Sequence, residues 1–190
     1  SVMAQTVNDW ELLVIDDGSR DDTCQIVERL AAGEPRVRLL RNEKNMGVAN
    51  TRNRGLSLCR GEFAAFLDSD DLWTKDKLEK QVRFMEENGY RFSYTQYEQI
   101  GEEGEPLGCR VTGPKKIGKA GMFAYCWPGC LTVMYDADLV GLVQIADIKK
   151  NNDYAMWLQI CHKAACYLLD EELGAYRKRS GSISRHGYMT

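Results

Sequence analysis

Glu11-Leu12-Leu13-Val14-Ile15-Asp16, followed at once by Asp17-Gly18-Ser19, is the stretch that decides the fold. A short apolar run without alternation reads as a strand buried on both faces, and such strands belong to parallel sheets. Asp21-Asp22-Thr23 then supplies the N-cap and acidic first turn of a helix to about Ala32, closed by Gly33 and Pro35. Val37 to Leu40 predicts a second strand, Val48 to Cys59 a helix ended by Gly61, and Phe63 to Leu67 a third strand. The third strand again stops at acids: Asp68, Asp70 and Asp71. Lys75 to Asn88 carries a helical stripe at Leu78, Val82 and Met85, with Gly89 as its stop. Strands alternating with helices predict an α/β fold with a doubly wound, mostly parallel sheet and right-handed crossovers.

The second half is less regular. Arg91 to Ile100 reads as a strand, Gly101 to Gly113 as a polar glycine-rich loop and Gly129 to Tyr135 as another strand. Asp153 to Ala165 reads as an amphipathic helix, and Tyr167 to Tyr176 as a strand before a basic tail of Arg177, Lys178, Arg179, Arg185 and His186. The chain's 190 residues suffice for one domain with a substantial core. Its 44% apolar and 28% charged residues exclude a disordered or low-complexity chain. A mean hydropathy of -0.44 and the lack of a long apolar run exclude a membrane-spanning helix, which needs roughly 20 such residues. A net charge of -3 argues against a nucleic-acid partner. Seven cysteines, an odd number with no CxxC pair, read as reduced core thiols of a cytoplasmic protein. No signal peptide is visible. Ser1 to Thr6 reads like the end of a helix, and the expectation is a chain truncated at its N-terminus.

In a parallel α/β sheet, ligands bind outside the carboxyl ends of the strands. Asp16-Asp17 and Asp68-Ser69-Asp70-Asp71 both fall on that edge. Crowded carboxylates repel unless protonated, hydrogen-bonded or bridged by a cation. Mg²⁺ and Mn²⁺ prefer oxygen donors and commonly take one or two carboxylates together with substrate phosphates. An Asp-x-Asp at a strand end therefore points to a divalent ion holding a diphosphate, against the plainer reading of acids that cap the next helix.

These segments resemble a family. Val14-Ile15-Asp16-Asp17-Gly18-Ser19 with Asp22-Thr23 is similar to the VDDGSxDxT segment of family 2 glycosyltransferases of the GT-A fold. Asn45-Met46-Gly47 with Arg52-Asn53-Arg54-Gly55 resembles their NxGxxxARNxG, Phe66 to Asp71 their FLDSDD, and Asn152-Asp153 with Trp157 their (E/D)DxxxW. The four motifs stand in family order across positions 7 to 184. The resemblance implies a Rossmann-like nucleotide-sugar-binding half over 1–100 and an acceptor and catalytic-base half over 101–190. It implies transfer of a sugar, with inversion, from a nucleotide diphosphate donor, usually a UDP-sugar. The acceptor would be a glycan or lipid-linked sugar in cell-surface polysaccharide synthesis, met in the cytoplasm or by peripheral contact at the inner membrane face. Carried over, Asp16, Asp17, Gly47, Arg52 and Asp68 would bind the nucleotide, with Asp17 on the uracil edge. Asp70, with Asp68, would hold Mn²⁺ or Mg²⁺, and Asp153 would be the general base. Tyr176, Arg177, Ser182 and Ser184 match a YRxxxxSxS stretch that would fold over the diphosphate.

Several features have plainer readings. Gly47 and Gly55 serve turns equally well, and Arg52 on residues alone could be a solvated helix position. Trp157, four residues after Asp153, reads as a core anchor. Trp127 could stack an acceptor sugar, yet a core position is the commoner fate of a large aromatic. Two departures stand out: the family's opening VSVIIPxYN strand is absent, and Asn152 stands where Glu or Asp is usual. The rival readings are a nucleotide-sugar-binding remnant without turnover and a sugar-nucleotide pyrophosphorylase, which would need a glycine-rich basic phosphate loop.

Overall fold

The computed structural model describes residues 1–148 and 151–180; Ser182, Ser184, Arg185 and His186 lie outside them. After a 3-10 turn at Val2–Ala4 come β1 (Leu12–Asp16), α1 (Thr23–Ala32), β2 (Val37–Arg41), α2 (Val48–Leu58) and β3 (Phe63–Ala65). Then follow β4 (Leu72–Trp73), α3 (Lys77–Asn88), β5 (Phe92–Ile100), β6 (Pro106–Val111), β7 (Lys116–Ile117) and α4 (Lys119–Ala124). A second 3-10 turn (Cys130–Thr132) leads to β8 (Met134–Asp136), α5 (Ala137–Val140), α6 (Asn152–Cys161) and β9 (Cys166–Arg177).

The first two strands and three helices fall where the sequence predicts, within a residue or two. Asp21, one residue ahead of the helix's own cap, accepts from the Thr23 amide at 3.1 Å and its hydroxyl at 2.6 Å, anchoring the start of α1. Gly89 ends α3 in the left-handed region at φ 65°. Gly55 has a packing duty: a Cβ there would stand 2.9 Å from Ile15 Cδ1, so its bare backbone lets α2 lie close on β1.

The sheet corrects one expectation. It is mixed, not mostly parallel: β1 and β2 form a parallel pair, and a larger sheet runs β3-β8-β5-β9-β4, with β6 on β5 and β7 on β9. Within the larger sheet only β5 and β9 are parallel. A parallel neighbour needs a crossover of a dozen or more residues, and the passage from β5 through α4 and α6 into β9 supplies it. The short connection at 101–105 turns the chain straight back, so residues 106–111 of the expected polar loop 101–113 are instead the antiparallel strand β6. Among the described residues β1 has no ladder partner besides β2, and Leu12 to Ile15 are half-buried where a fully buried strand was expected.

The core lies where the large sheet meets α4 and α6. Phe92, Tyr94, Met122, Tyr135, Met156, Trp157 and Ile160 are all within 1% of complete burial. All seven cysteines are free, as predicted, but only Cys161 and Cys166 are buried; four are half-buried and Cys109 is exposed, so they are not all core thiols. No described helix is long and apolar enough to cross a membrane.

Helix α3 buries only Met85 of its predicted stripe. Lys77, Gln81 and Met85 face inward, and Leu78 and Val82 are half-buried. Gln81 donates to Ser93 Oγ and to the Thr132 carbonyl, both at 3.0 Å, while Lys77 hydrogen-bonds Gln81 Oε1 and lies over the Trp73 ring. Burial without a carboxylate brings the Lys77 ammonium down to about 7. Its unfolded value is the higher one, so above pH 7 the unfolded chain holds the extra proton and stability rises with pH. Above about pH 9 the buried thiols, raised by desolvation, oppose this. Urea midpoints should therefore climb between pH 7 and 9, by at most about 1.4 kcal/mol per pH unit. Lys77→Met should remove the climb; a flat profile in the unmutated protein would show that Lys77 keeps its charge.

Candidate active site

The loop after β1 is built by its own acids. Asp16 accepts from the amides of Gly18 and Ser19 at 3.2 Å, and hydrogen bonding from Ser19 holds its carboxyl below the usual range. Its bonds are spent inside the turn, which Gly18 permits at φ 93°. Asp17 reaches across to the segment before α2. It accepts from Asn42 Nδ2 at 2.7 Å, the Met46 amide at 2.7 Å and the Gly47 amide at 2.9 Å. Burial works to raise Asp17, but these donors outweigh it and hold it low. Gly47 has φ 80°, a conformation that disfavours a side chain, and no heavy atom outside its chain neighbours lies within 4 Å of where a Cβ would sit. The structure thus places Asp17 and Gly47 together and turns Asp16 inward.

Helix α2 then delivers Arg52 to the end of β3. Arg52 Nη2 donates to Asp68 Oδ1, across 16 positions of sequence. The flanking residues fix the helix. Asn53 exchanges two hydrogen bonds with the backbone of Ile145 at 2.8 and 2.6 Å, and Arg54 donates to the Arg41 carbonyl at 2.5 Å and Asn42 at 2.6 Å. Arg52 is mostly buried, so it is not the solvated position that residues alone allowed. Desolvation would lower its guanidinium, but the carboxylates of Asp68 and Asp153 help to raise it.

Those neighbours lie together around Arg52. Cys130, just before β8, is held neutral by burial and feels the charges of Arg52, Asp68, Asp153 and Asp71. Asp153 sits in the first turn of α6 and accepts from the Tyr154 amide at 2.8 Å. The helix is launched by Asn151 at φ 57°, the one described non-glycine residue with positive φ, a conformation Asn tolerates better than most. Trp157 is 1% exposed and packs edge-on against Phe66 at 5.8 Å. It is a core anchor, as predicted, and it ties α6 to the segment that leads from β3 to Asp68.

The acid Asp71 and the basic residues Arg177 and Arg179, named in the sequence without partners, and Cys130, given no role there, complete the site. Asp71 is buried, and desolvation pushes its carboxyl up to about 7 although the Arg177 amide donates to it at 2.9 Å. Arg177 also donates from Nε to the Asp70 carbonyl at 2.9 Å and from Nη1 to the Glu102 carbonyl at 2.9 Å. Arg179 Nη1 stands 3.7 Å from Asp70 Oδ2. Arg177, the last residue of β9, and Arg179 are therefore turned onto the acids. Asp71 was in plain view within the FLDSDD match, whereas nothing in the local sequence singles out Cys130.

The donor set suits a hard divalent ion. Asp68 and Asp70 keep side chains that are 46% and 34% exposed at a strand end. Among the described residues no three His, Cys, Asp or Glu converge to hold an ion unaided. Two carboxylates completed by phosphate oxygens are the usual complement for Mg²⁺ or Mn²⁺.

Comparison with known proteins agrees with this geometry. TuaG of Bacillus subtilis is 37% identical over 185 residues, covering 97% of this chain and 73% of TuaG. The Escherichia coli UDP-Glc:alpha-D-GlcNAc-diphosphoundecaprenol beta-1,3-glucosyltransferase WfgD is 40% identical over 160 residues, covering 84% of this chain and 61% of WfgD. The crystal structure of S. aureus TarS residues 1–349 in complex with UDP-GlcNAc superposes with a TM-score of 0.80 at 21% identity, over 99% of this chain and 56% of that one, and so shares the fold. Residues 1–124 match the family model described as Glycosyl transferase family 2. With a strand-end acid cluster, an α2 arginine locked onto it and this GT-A likeness in one chain, the protein belongs to glycosyl transferase family 2.

Proposed function

We propose that this chain carries the donor site and catalytic base of an inverting hexosyl- or N-acetylhexosaminyltransferase that uses a UDP-sugar. The carrying observation is the Arg52–Asp68 pair with Asp153 in its electrostatic reach, because it unites three sequence-distant motifs around Arg52. Asp17 and Gly47 would receive the uracil, with Asp16 acting by shaping the turn. Asp68 and Asp70 would hold Mn²⁺ or Mg²⁺. Bound there, the ion would supply Lewis-acid neutralisation of the diphosphate leaving group. Arg177 and Arg179 lie beside Asp70, where they would meet the same phosphates. Asp153 would take the proton of the attacking hydroxyl, and a single displacement needs no second carboxylate as nucleophile. The acceptor we favour is a lipid-linked or glycan sugar presented at the inner face of a membrane. Residues 1–100 would supply the donor side and 101–190 the acceptor and base side.

Calorimetry tests the reading. UDP should bind at least tenfold more tightly with Mn²⁺ than without, a difference of about 1.4 kcal/mol. Asp70→Ala should abolish that benefit while leaving metal-free UDP binding nearly unchanged. Equal affinity with and without Mn²⁺ in the unmutated protein would sink the metal assignment, and metal-dependent binding without donor turnover would favour a binding remnant.

A further inference from the structure

Phe123, Tyr125 and Trp127 leave the end of α4 with their rings in solvent, at 77%, 48% and 38% exposure. This overturns the expectation of a core Trp127. Large aromatics usually bury most of their surface, and three at alternate positions of one segment differ from singly scattered apolar residues. The backbone at Tyr125 is extended (φ -161°, ψ 139°), so Tyr125 and Trp127 fall on one side. Cys126 between them packs against the core. The two rings stand 4.6 Å apart, inclined at 56°. Trp127 is braced from behind by the Gly113 backbone, where a Cβ would come within 3.1 Å of its ring carbon Cε3. Tyr94 fixes that support by donating to the Pro114 carbonyl at 2.6 Å. The pair is a rigid, solvent-facing aromatic corner.

The helix that carries Asp153 holds the end of α4 from which that corner leaves. Tyr154, the neighbour of Asp153, donates its phenol to the carbonyls of Met122 and Phe123 at 2.8 and 3.0 Å. Burial, and then the charge of Asp153, push the Cys126 thiol up to about 12. Three residues beyond Trp127 the chain reaches Cys130 beside Arg52 and Asp68, a span of at most about 10 Å. We propose that Tyr125 and Trp127 form the acceptor subsite, stacking a pyranose ring so that its hydroxyl faces Asp153. A pyranose presents one apolar face of C–H bonds with slight positive charge, which complements the negative face of an aromatic ring. The proposal rests on Asp153 being the base.

The test measures transfer to methyl glycosides of glucose, galactose and N-acetylglucosamine, UDP-sugar hydrolysis without acceptor, and UDP affinity. Trp127→Ala should raise the acceptor KM at least tenfold, with hydrolysis and UDP affinity within twofold of the unmutated protein. Trp127→Phe should recover most of the loss. An acceptor KM changed less than twofold by both Trp127→Ala and Tyr125→Ala overturns the subsite. If the unmutated protein neither binds UDP nor hydrolyses a UDP-sugar, the proposed function fails by itself. The platform is then read from the fluorescence difference between unmutated protein and Trp127→Phe on adding the same glycosides. A saturable response assigned to Trp127 supports it. No response to any sugar overturns it, and a response to phosphatidylglycerol vesicles alone reassigns the corner to membrane contact.

Discussion

Asp153→Asn is expected to slow sugar transfer by roughly 10²–10⁴-fold, the scale of general-base catalysis, while UDP and Mn²⁺ affinity stay within about twofold. The substitution separates chemistry from folding cleanly here. Asp153 makes its local hydrogen bond through one oxygen, accepting from the Tyr154 amide at 2.8 Å, and the amide oxygen of Asn can accept in its place. The N-cap of α6 is Asn151, so no cap is lost. What remains of a merely structural role is an acid near a helix N-terminus, worth about 0.3–1 kcal/mol. Transfer rate and UDP affinity, measured side by side for both proteins, decide the matter. A turnover loss under about tenfold would remove Asp153 from the mechanism, because so small a loss lies below the general-base range.

Trp157→Ala is expected to cost about 3–5 kcal/mol of stability, the range for deleting a buried tryptophan. Trp157 is 1% exposed, and its ring packs against Phe66 at 5.8 Å and Phe92 at 6.0 Å. The cavity would open between two elements of the candidate site: Phe66 stands two residues before Asp68, and Trp157 four after Asp153. Turnover should therefore fall along with stability, since misplacing a base by about 1 Å can cost on the order of 10²-fold. Trp157→Phe keeps an aromatic wedge and should retain most of both. Urea unfolding is the measurement, read as a lower midpoint at an unchanged slope. A loss below about 1.5 kcal/mol would mean that the neighbours close the gap, and the coupling between strand and helix would then not depend on this ring.

Much of residues 1–100 was legible because its signals are local. A strand that stops at acids, an acid at the start of an amphipathic helix and a glycine stop are each decided within a few residues. β1, α1, β2, α2 and α3 accordingly lie close to their predicted positions, and the free thiols and the Trp157 anchor followed from composition and spacing. The second half was harder because its strands are short and its connections tight. An alternating pattern says which face is buried and nothing about which strand lies beside it, so the polar stretch that became β6 and the antiparallel insertion of β8 between β3 and β5 left no readable mark.

The candidate site divides along the same line. The sequence by itself determined the family pattern, the acids Asp68 and Asp70 at one strand end, and Asp153 in the first turn of α6. Only the tertiary structure decided that Asp16 spends its carboxylate on its own turn, that Asp17 pins Met46 and Gly47, and that Arg52 closes on Asp68. It alone turned Arg177 and Arg179 onto the acids and left Tyr125 and Trp127 in solvent. The reason is physical: backbone hydrogen bonding and hydrophobic periodicity act over a few residues and leave their trace in order. The partner of a charge, or the exposure of a ring, is set by where helices and strands cross, which no short stretch of sequence contains.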